Sequence, residues 1–348
     1  MIRPDLSQLP AYVPGARNEA AVKLSSNESA AAPLPSVTEA MVRALGSVNR
    51  YPDMGAIDLR DALAAHLGLS RERVAVGTGS SALCQQLVTL SAQPGDEVVF
   101  PWRSFEAYPI FVQIAGATPV AVPLADDHRV DLAGLAAAVT ERTKLIFVCN
   151  PNNPTGTTIT AAEWTGFIDT VPPHVIVALD EAYVEYDRSG TSPLATKEIL
   201  AHPNVVGLRT FSKAYGLAGA RVGYAFGSRE IIEALNKVAV PFSVSSVAQA
   251  GALASLEAQD ELAERVAETA AQRDRLVAEL EPFGCPDSQA NFVWIPAASL
   301  DAPAADYAAR LAERGVLVRA FGDGLRITVT NRAEADAFLA AWDSLTGA

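Results

Sequence analysis

The stretch TFSKAYGLAGARVGY places one lysine, Lys213, between two hydroxyl residues and a glycine-rich run, with Arg221 eight positions further on. Lysine forms Schiff bases with aldehydes when its surroundings keep part of it as the free amine. Thr210 and Ser212 offer hydroxyl donors and Arg221 offers a guanidinium fork, a combination that suits a phosphate monoester. An aldehyde and a phosphate on one small molecule describe pyridoxal phosphate. A glycine-rich turn with an incidental exposed lysine would have the same sequence, so this stretch alone leaves both interpretations open.

A second polar group stands at the end of the segment VIVALD, whose apolar residues predict a buried strand. Asp180 ends that run, and a carboxylate there is costly unless it meets a cation such as a protonated pyridine nitrogen. Tyr183, three residues on, is placed to reach the phenolic oxygen of the same ring. Asn153, in NPNNPTG after the predicted strand KLIFVC, offers an amide to that oxygen. The alternatives are that Asp180 caps the next turn or helix and that the Asn-Pro pairs form an ordinary turn.

NPNNPTG, DEAY and SKAYGLAGARVGY, in this order, resemble the fold-type I pyridoxal-phosphate aminotransferases. The fuller pattern is similar to the histidinol-phosphate aminotransferase branch and its bacterial aromatic amino acid relatives, with YVPG, LSSNE, RYPD and LRITVT as supporting segments. The likeness covers essentially the whole chain. It implies that the cofactor is pyridoxal phosphate and that catalysis depends on Lys213, Asp180 and Tyr183. The cofactor-binding residues implied by these motifs are the same three together with Asn153, Thr210, Ser212 and Arg221.

The segment GTGSSA follows a predicted strand and opens a predicted helix, so it also fits the dinucleotide fingerprint G-x-G-x-x-A. Asp96 or Glu97 lies at roughly the spacing of a ribose-binding acid. The family resemblance instead assigns Gly79, Ser80 and Ser81 to the cofactor phosphate, where small residues let backbone N–H groups approach oxygen. A nicotinamide enzyme would leave the lysine, arginine and aspartate motifs without a role, which favours the phosphate interpretation.

The resemblance also assigns two aromatic residues. Phe105, in PWRSFEAYPI, is expected to stack on the cofactor ring; Tyr108 is the weaker candidate, and ordinary core packing is the alternative for both. Tyr51, in RYPD, is expected to reach the cofactor phosphate of a neighbouring subunit. The protein would then be a homodimer with shared active sites, whereas a surface tyrosine before a proline is the alternative.

Arg326 is the expected substrate-binding residue. The alternation in LRITVT places Arg326, Thr328 and Thr330 on one face of a strand, and the resemblance gives this arginine the substrate α-carboxylate. Tyr12 and Asn27 resemble N-terminal residues that close over the substrate in relatives.

A histidinol-phosphate enzyme also needs cations for a distal phosphate. Arg319, in VLVRAF, matches the position where that branch keeps such a residue, and Arg17 and Arg103 are further candidates. Against that branch, GTGSSA replaces the GSDE-like loop that is usual there. RYPDMGAIDLR, GSSALCQQL and PWRSFEAYPI are similar to the aromatic aminotransferases.

We therefore expect transfer of the amino group of phenylalanine or tyrosine to 2-oxoglutarate in a ping-pong cycle between pyridoxal and pyridoxamine phosphate. Histidinol-phosphate aminotransferase is the alternative. A decarboxylase on the same cofactor cradle would differ by releasing the carboxylate as CO2. A cofactor-sensing regulator would need a basic DNA-binding module, which this acidic sequence does not contain.

Composition is consistent with a metabolic enzyme, and the resemblance implies that its partners are amino acids and 2-oxo acids. The 348 residues carry a net charge of −13, which disfavours nucleic acid and acidic membranes as partners. The three cysteines are scattered without CxxC spacing, so reduced thiols and no metal site are expected. The start MIRPDLSQLP lacks the apolar core of a signal peptide, so we expect a cytoplasmic protein.

Strand-like and helix-like segments alternate through the first two thirds of the chain, which predicts an α/β fold. The sheet is expected to be mainly parallel, of the seven-stranded fold-type I kind, with helices on both faces. A smaller α+β domain should follow. The expected boundaries are 28–245 for the large cofactor-binding domain, and 1–27 with 246–348 for the small domain and its N-terminal arm. Ser36 with Glu39 predicts a capping box, and residues 247–280 predict a long helical region.

Overall fold

The computed structural model describes residues 20–347 together with Ser7, Leu9 and Asn18. The first part of this region alternates between strands and helices, as expected. Its strands are β1 (Val22–Leu24), β2 (Val74–Gly77), β3 (Glu97–Trp102), β4 (Thr118–Pro123), β5 (Thr143–Cys149), β6 (Ile176–Asp180), β7 (Val205–Thr210) and β8 (Gly223–Gly227). Three further strands follow, β9 (Phe292–Pro296), β10 (Val316–Phe321) and β11 (Gly324–Thr328).

Seven of these strands form one large sheet in the order β2-β8-β7-β6-β5-β3-β4. β8 runs antiparallel to both of its neighbours, and the remaining pairs are parallel. The predicted α/β fold with a mainly parallel seven-stranded sheet is confirmed.

Helices cover both faces of this sheet because its central strands are apolar on both faces. Along β5, Leu145 and Phe147 belong to one core, whereas Ile146 and Val148 belong to the other. The core of Ile146 and Val148 is covered by α1 (Pro35–Leu45), α2 (Ile57–Leu67), α5 (Leu132–Ala137), α6 (Ala161–Ile168), α7 (Ala195–Ala201) and α9 (Ser246–Glu257). The core of Leu145 and Phe147 is covered by α3 (Ser80–Ser91), α4 (Ala107–Ile114) and α8 (Arg229–Val238).

A smaller sheet has the order β1-β10-β11-β9, with β1 parallel to β10 and the other pairs antiparallel. It packs with α10 (Gln259–Glu279), α11 (Ala304–Glu313) and α12 (Arg332–Thr346) around a third core. α9 packs on α1 and α2 beside the large sheet, while β1 belongs to the small sheet. The domain boundaries given above stay a prediction.

The predicted capping box of Ser36 and Glu39 is wrong. α1 begins at Pro35, so Ser36 lies inside its first turn and no side chain caps the helix. Proline fits the first helical position because its missing N–H would be unpaired there anyway. The predicted helical region 247–280 is confirmed and consists of two helices, since α9 ends at Glu257 and α10 begins at Gln259. None of the described helices is both long and apolar enough to cross a membrane.

Candidate active site

A pocket of about 420 Å³ lies where three neighbouring parallel strands end. Cys149, Asp180 and Thr210 are the last residues of β5, β6 and β7, and all three line it. The carboxyl edge of a parallel sheet is the usual place for ligands in open α/β folds. Arg326, on β11 of the small sheet, also lines the pocket, so both sheets contribute to it.

Hydroxyl groups and one arginine gather beside the start of α3. The Ser212 amide donates to Thr210 Oγ1 at 3.1 Å, and Arg221 Nη1 donates to Ser212 Oγ at 3.1 Å. Ser80 and Ser81 form the first turn of α3 and line the same pocket. Gly79 precedes them with φ of 78°, and a Cβ there would lie 2.4 Å from Arg221 Nη2. A helix N-terminus, hydroxyl donors and a guanidinium together suit a phosphate group.

Asp180 presents one unpaired carboxylate oxygen in a buried setting. Its side chain is nearly inaccessible, and Oδ2 accepts a hydrogen bond from the Tyr108 hydroxyl at 2.6 Å. Oδ1 is also buried and has no hydrogen-bond partner among the described residues. Burial raises the pKa of Asp180 to about 6, and the Tyr108 hydroxyl opposes that rise. A carboxylate with a free buried oxygen is suited to pair with a protonated ring nitrogen.

Lys213 carries an amine that is easily deprotonated. Its Nζ lies 3.4 Å from the Ser26 carbonyl oxygen and 5.6 Å from the centroid of the Tyr183 ring. Desolvation, followed by the charge of Arg326, lowers the pKa of Lys213 to about 7. A large fraction of this side chain is therefore a neutral nucleophile near neutral pH.

Arg326 reaches from the small sheet to the turn after β5. Its Nη1 donates to Asn153 Oδ1 at 2.6 Å, and its Nη2 donates to the Ser25 carbonyl oxygen at 2.9 Å. The guanidinium lies 5.6 Å from the ring centroids of both Phe292 and Phe321. These contacts fix the plane of the guanidinium, which is the condition for bidentate binding of a carboxylate.

Asn27, three residues after β1, connects Tyr183 in the loop after β6 with Thr328 of β11. Its Nδ2 donates to Tyr183 Oη at 3.0 Å, and its Oδ1 accepts from the Thr328 hydroxyl at 3.1 Å. Its backbone amide donates to the same hydroxyl oxygen at 2.9 Å. Asn27 is thereby buried in the pocket wall, with Tyr183 turned towards it.

Two of the three arginines suggested for a distal phosphate are already paired. Arg319 Nη2 lies 2.9 Å from Glu106 Oε2, and Arg103 Nε lies 2.6 Å from Asp323 Oδ1. Arg319 lines the pocket beside the apolar side chains of Phe105, Ala107, Ile110 and Phe111. This wall therefore combines apolar surface with a charge-compensated arginine.

Residues 19–341 match the family described as aminotransferase class I and II. The chain belongs to that family. It is 59% identical over 345 residues to the aromatic amino acid aminotransferase of Corynebacterium glutamicum (strain R), covering 99% of each chain. It is 60% identical over 344 residues to that of Corynebacterium diphtheriae, again covering 99% of each. Histidinol-phosphate aminotransferase from Sinorhizobium meliloti, solved with pyridoxal-5′-phosphate, superposes with a TM-score of 0.87 at 33% identity, covering 98% and 96% of the two chains.

Most of the side chains predicted for an aminotransferase site line this one pocket. They are Asn27, Ser80, Ser81, Phe105, Asn153, Asp180, Tyr183, Thr210, Ser212, Lys213, Arg221, Arg319 and Arg326. Gly79 lies directly beside Arg221. Tyr51 is 82% exposed, stacks on Phe242 and does not line the pocket of its own chain. Tyr12 and Arg17 lie outside the described residues.

The acids expected for a dinucleotide ribose lie elsewhere in this aminotransferase. Glu97 begins β3 and pairs with Arg142, and Asp96 lies 3.9 Å from Lys144. Both stand at the amino end of β3, whereas the pocket lies at the carboxyl edge of the sheet. The described residues contain no group of three or more His, Cys, Asp or Glu side chains placed to hold a metal ion.

Two residues of the site were missed or undervalued by sequence analysis. Tyr108 was treated as the weaker ring-stacking candidate, yet its hydroxyl binds Asp180. Glu106 was not considered, yet it pairs with Arg319. Glu106 directly precedes α4, and Tyr108 lies in its first turn. The sequence AYPIFVQI of this helix has no polar pattern that would mark Tyr108 as different from a core residue or Glu106 as different from a surface residue.

Proposed function

We propose that this aminotransferase binds pyridoxal phosphate and transfers the amino group of phenylalanine or tyrosine to 2-oxoglutarate. The observation that carries the proposal is the meeting of three groups in one pocket: the amine of Lys213, the free oxygen of Asp180 and the fixed guanidinium of Arg326. Full-length relatives named as aromatic amino acid aminotransferases support the substrate class.

In this proposal Gly79, Ser80, Ser81, Thr210, Ser212 and Arg221 would hold the cofactor phosphate, and Phe105 would cover its ring. Asp180 would pair with the ring nitrogen, and Tyr183 and Asn153 would bind the phenolic oxygen. When bound, the cofactor supplies an electron sink for the carbanion that forms at the substrate α-carbon.

The chain's own residues then perform two tasks. Arg326 binds the α-carboxylate of both the amino donor and the oxo-acid acceptor, which fixes the α-carbon relative to Lys213. Lys213 Nζ takes the proton from the donor α-carbon in the first half-reaction and delivers a proton to the α-carbon of the oxo acid in the second. This role needs an amine with a pKa near the working pH. The hydrogen bond between Asn27 and Tyr183 holds Asn27 in the pocket wall, where it is proposed to help exclude water.

The donor side chain is proposed to lie on the apolar wall. Phenylalanine is expected to have a kcat/KM at least about 100-fold above that of histidinol phosphate, because a phosphate dianion is costly to bury against a wall whose arginine is already neutralised. Initial rates with both donors at equal 2-oxoglutarate measure this ratio. A higher kcat/KM for histidinol phosphate would establish the alternative activity instead.

Glu106→Gln tests the cause of that ratio. Removing the carboxylate releases the charge of Arg319, so the variant should gain activity with histidinol phosphate relative to phenylalanine. Glu334→Gln, at α12 away from the pocket, is the matched control and should leave the ratio unchanged.

We also propose that the protein is a homodimer in which Tyr51 reaches the neighbouring cofactor phosphate. Nine large apolar side chains are exposed among the described residues, and all except Leu200 fall within 42–57 or 240–242. A concentration of exposed apolar surface of this kind is typical of a protein–protein interface. Tyr51 stacks on Phe242 in the middle of it, with ring centroids 4.6 Å apart.

Mixed dimers test whether Tyr51 acts across the interface. Tyr51→Phe should weaken cofactor affinity about 10-fold, because one hydrogen bond to an anion is lost. A purified mixed dimer of Tyr51→Phe and Lys213→Ala chains has one lysine-containing site, and that site faces the native tyrosine of its partner. Its activity should therefore depend on cofactor concentration as in the wild type. If the activity of the mixed dimer instead depended on cofactor concentration as that of the Tyr51→Phe homodimer does, Tyr51 would serve the active site of its own subunit.

A further inference from the structure

Tyr108 is held rigidly beneath the pocket. Its side chain is fully buried and stacks on Phe147, with ring centroids 4.3 Å apart and planes 9° apart. Phe105 meets it edge to face at 5.4 Å. The ring therefore has no alternative position, and its hydroxyl is fixed at the end of β6.

That hydroxyl donates to Asp180 Oδ2 at 2.6 Å, across 72 positions of the sequence. The bond makes the two carboxylate oxygens different, since Oδ2 is satisfied while buried Oδ1 has no partner in the described chain. Without the hydroxyl, neither oxygen would have a fixed donor among the described side chains. The orientation of the carboxylate would then depend on packing and on the backbone amide of Ala182.

We propose that Tyr108 is a positioning residue that holds Asp180 ionised and oriented, so that its free oxygen faces the nitrogen of the cofactor ring. The inference rests on the role proposed above for Asp180. Through its contact with Phe105, the same ring also supports the side chain expected to cover the cofactor.

The charge of Asp180 depends on several neighbours. Titratable groups that face it come from five elements or the loops that follow them. They are Cys84 of α3, Tyr108 of α4, Cys149 of β5, Glu181 and Tyr183 after β6, and Lys213 after β7. Burial raises the pKa of Asp180, and the Tyr108 hydroxyl lowers it by stabilising the charged form. Removing the hydroxyl therefore shifts the protonation of Asp180 to higher pH.

The test is Tyr108→Phe, which keeps the ring and its stacking. Affinity of the apoenzyme for pyridoxal phosphate, titrated by absorbance across a range of pH, should fall about 10-fold. The pH below which affinity is lost should move upwards, because pairing with the pyridinium needs ionised Asp180. In the holoenzyme kcat should fall, while the KM for phenylalanine changes little because Arg326 is untouched.

Tyr186→Phe is the matched control, since Tyr186 is also a buried tyrosine but makes no contact with Asp180 in the described structure. It should keep the wild-type affinity and pH midpoint. Asp180→Asn separates the possible failures. Near-normal affinity and turnover in Asp180→Asn would overturn the proposed role of Asp180 and this inference with it.

If Asp180→Asn is impaired while Tyr108→Phe behaves like Tyr186→Phe, only the role of Tyr108 is overturned. The double variant covers the case in which Tyr108→Phe is poorly folded. Once Asp180 is uncharged, loss of the hydroxyl should cause little additional loss of cofactor affinity. A full additional loss in that background would show that the tyrosine acts independently of Asp180, and would overturn the proposal.

Discussion

Replacing Lys213 with alanine is expected to reduce amino transfer from phenylalanine to 2-oxoglutarate by at least about 1,000-fold, because the variant loses both the nucleophile and the proton carrier. Residual activity should not recover in Lys213→Arg, since a guanidinium stays protonated and cannot take the α-proton. Coupled initial-rate assays measure the loss. Borohydride reduction of wild-type holoenzyme, followed by peptide mapping, should find the cofactor on the peptide that contains Lys213.

The pKa of Lys213 adds a pH dependence to this prediction. Because burial and Arg326 lower that pKa to about 7, the fraction of free amine grows as pH rises through this value. Covalent uptake of pyridoxal phosphate by the apoenzyme should accelerate from about pH 6 to about pH 8 and then level off. Stopped-flow absorbance follows this rate.

Lys237→Ala is the control for Lys213→Ala, since Lys237 is exposed on α8. It should keep wild-type turnover and the labelled peptide. Near-normal rates in Lys213→Ala, or a label on another lysine, would remove the chemical basis of the proposed function.

The parts of the site that could be predicted from sequence are those that lie at strand ends. Asn153, Asp180 and Thr210 follow or end β-branched runs, and the carboxyl ends of parallel strands meet at one edge of a sheet. Period-two alternation likewise identified Arg326 on a strand. The order of these motifs indicated the aminotransferase family, which the family match confirms.

Other features depend on contacts between distant segments. Tyr108 and Asp180 are 72 residues apart in the sequence, and Arg319 and Glu106 are 213 residues apart. No local sequence pattern predicts that either pair is in contact. β8 was not predicted because Gly223 and Gly227 are poor strand formers. Gly223 is nevertheless required there, since a Cβ would lie 2.5 Å from the Ser80 amide nitrogen at the start of α3. The strand therefore uses glycine to bring the proposed phosphate site against the sheet.

The two sheets have different tasks in the proposed cycle. The large sheet places the groups proposed for the cofactor, whereas the small sheet contributes the cross-strand pair Arg319 and Arg326. Two arginines directly opposite each other repel unless each has its own partner. Glu106 satisfies Arg319, and Asn153 with the Ser25 carbonyl engages Arg326 through neutral oxygens. These two contacts orient the Arg326 guanidinium, which suits it to bind a substrate carboxylate.

Arg326→Lys is accordingly expected to lower kcat/KM by about 100-fold or more, because an ammonium group cannot reproduce the two-pronged contact with a carboxylate. The charge is retained, so the lowered pKa of Lys213, to which the charge of Arg326 contributes, should be largely preserved. Cofactor affinity should also stay close to the wild-type value. Since amino donor and oxo-acid acceptor both carry the α-carboxylate, the two half-reactions should be slowed to a similar extent in single-turnover measurements.

Arg319→Lys is the matched control, because Arg319 is the cross-strand partner of Arg326 and lines the same pocket. The Arg319→Lys variant keeps a cation near Glu106. Any change in rate should therefore differ between the two substrates, and the two half-reactions should not be slowed equally. If Arg326→Lys altered only one half-reaction, or if the two variants behaved alike, Arg326 would not be the carboxylate anchor. The equal loss in both directions is the decisive signature, because only a group that binds what the two substrates share can produce it.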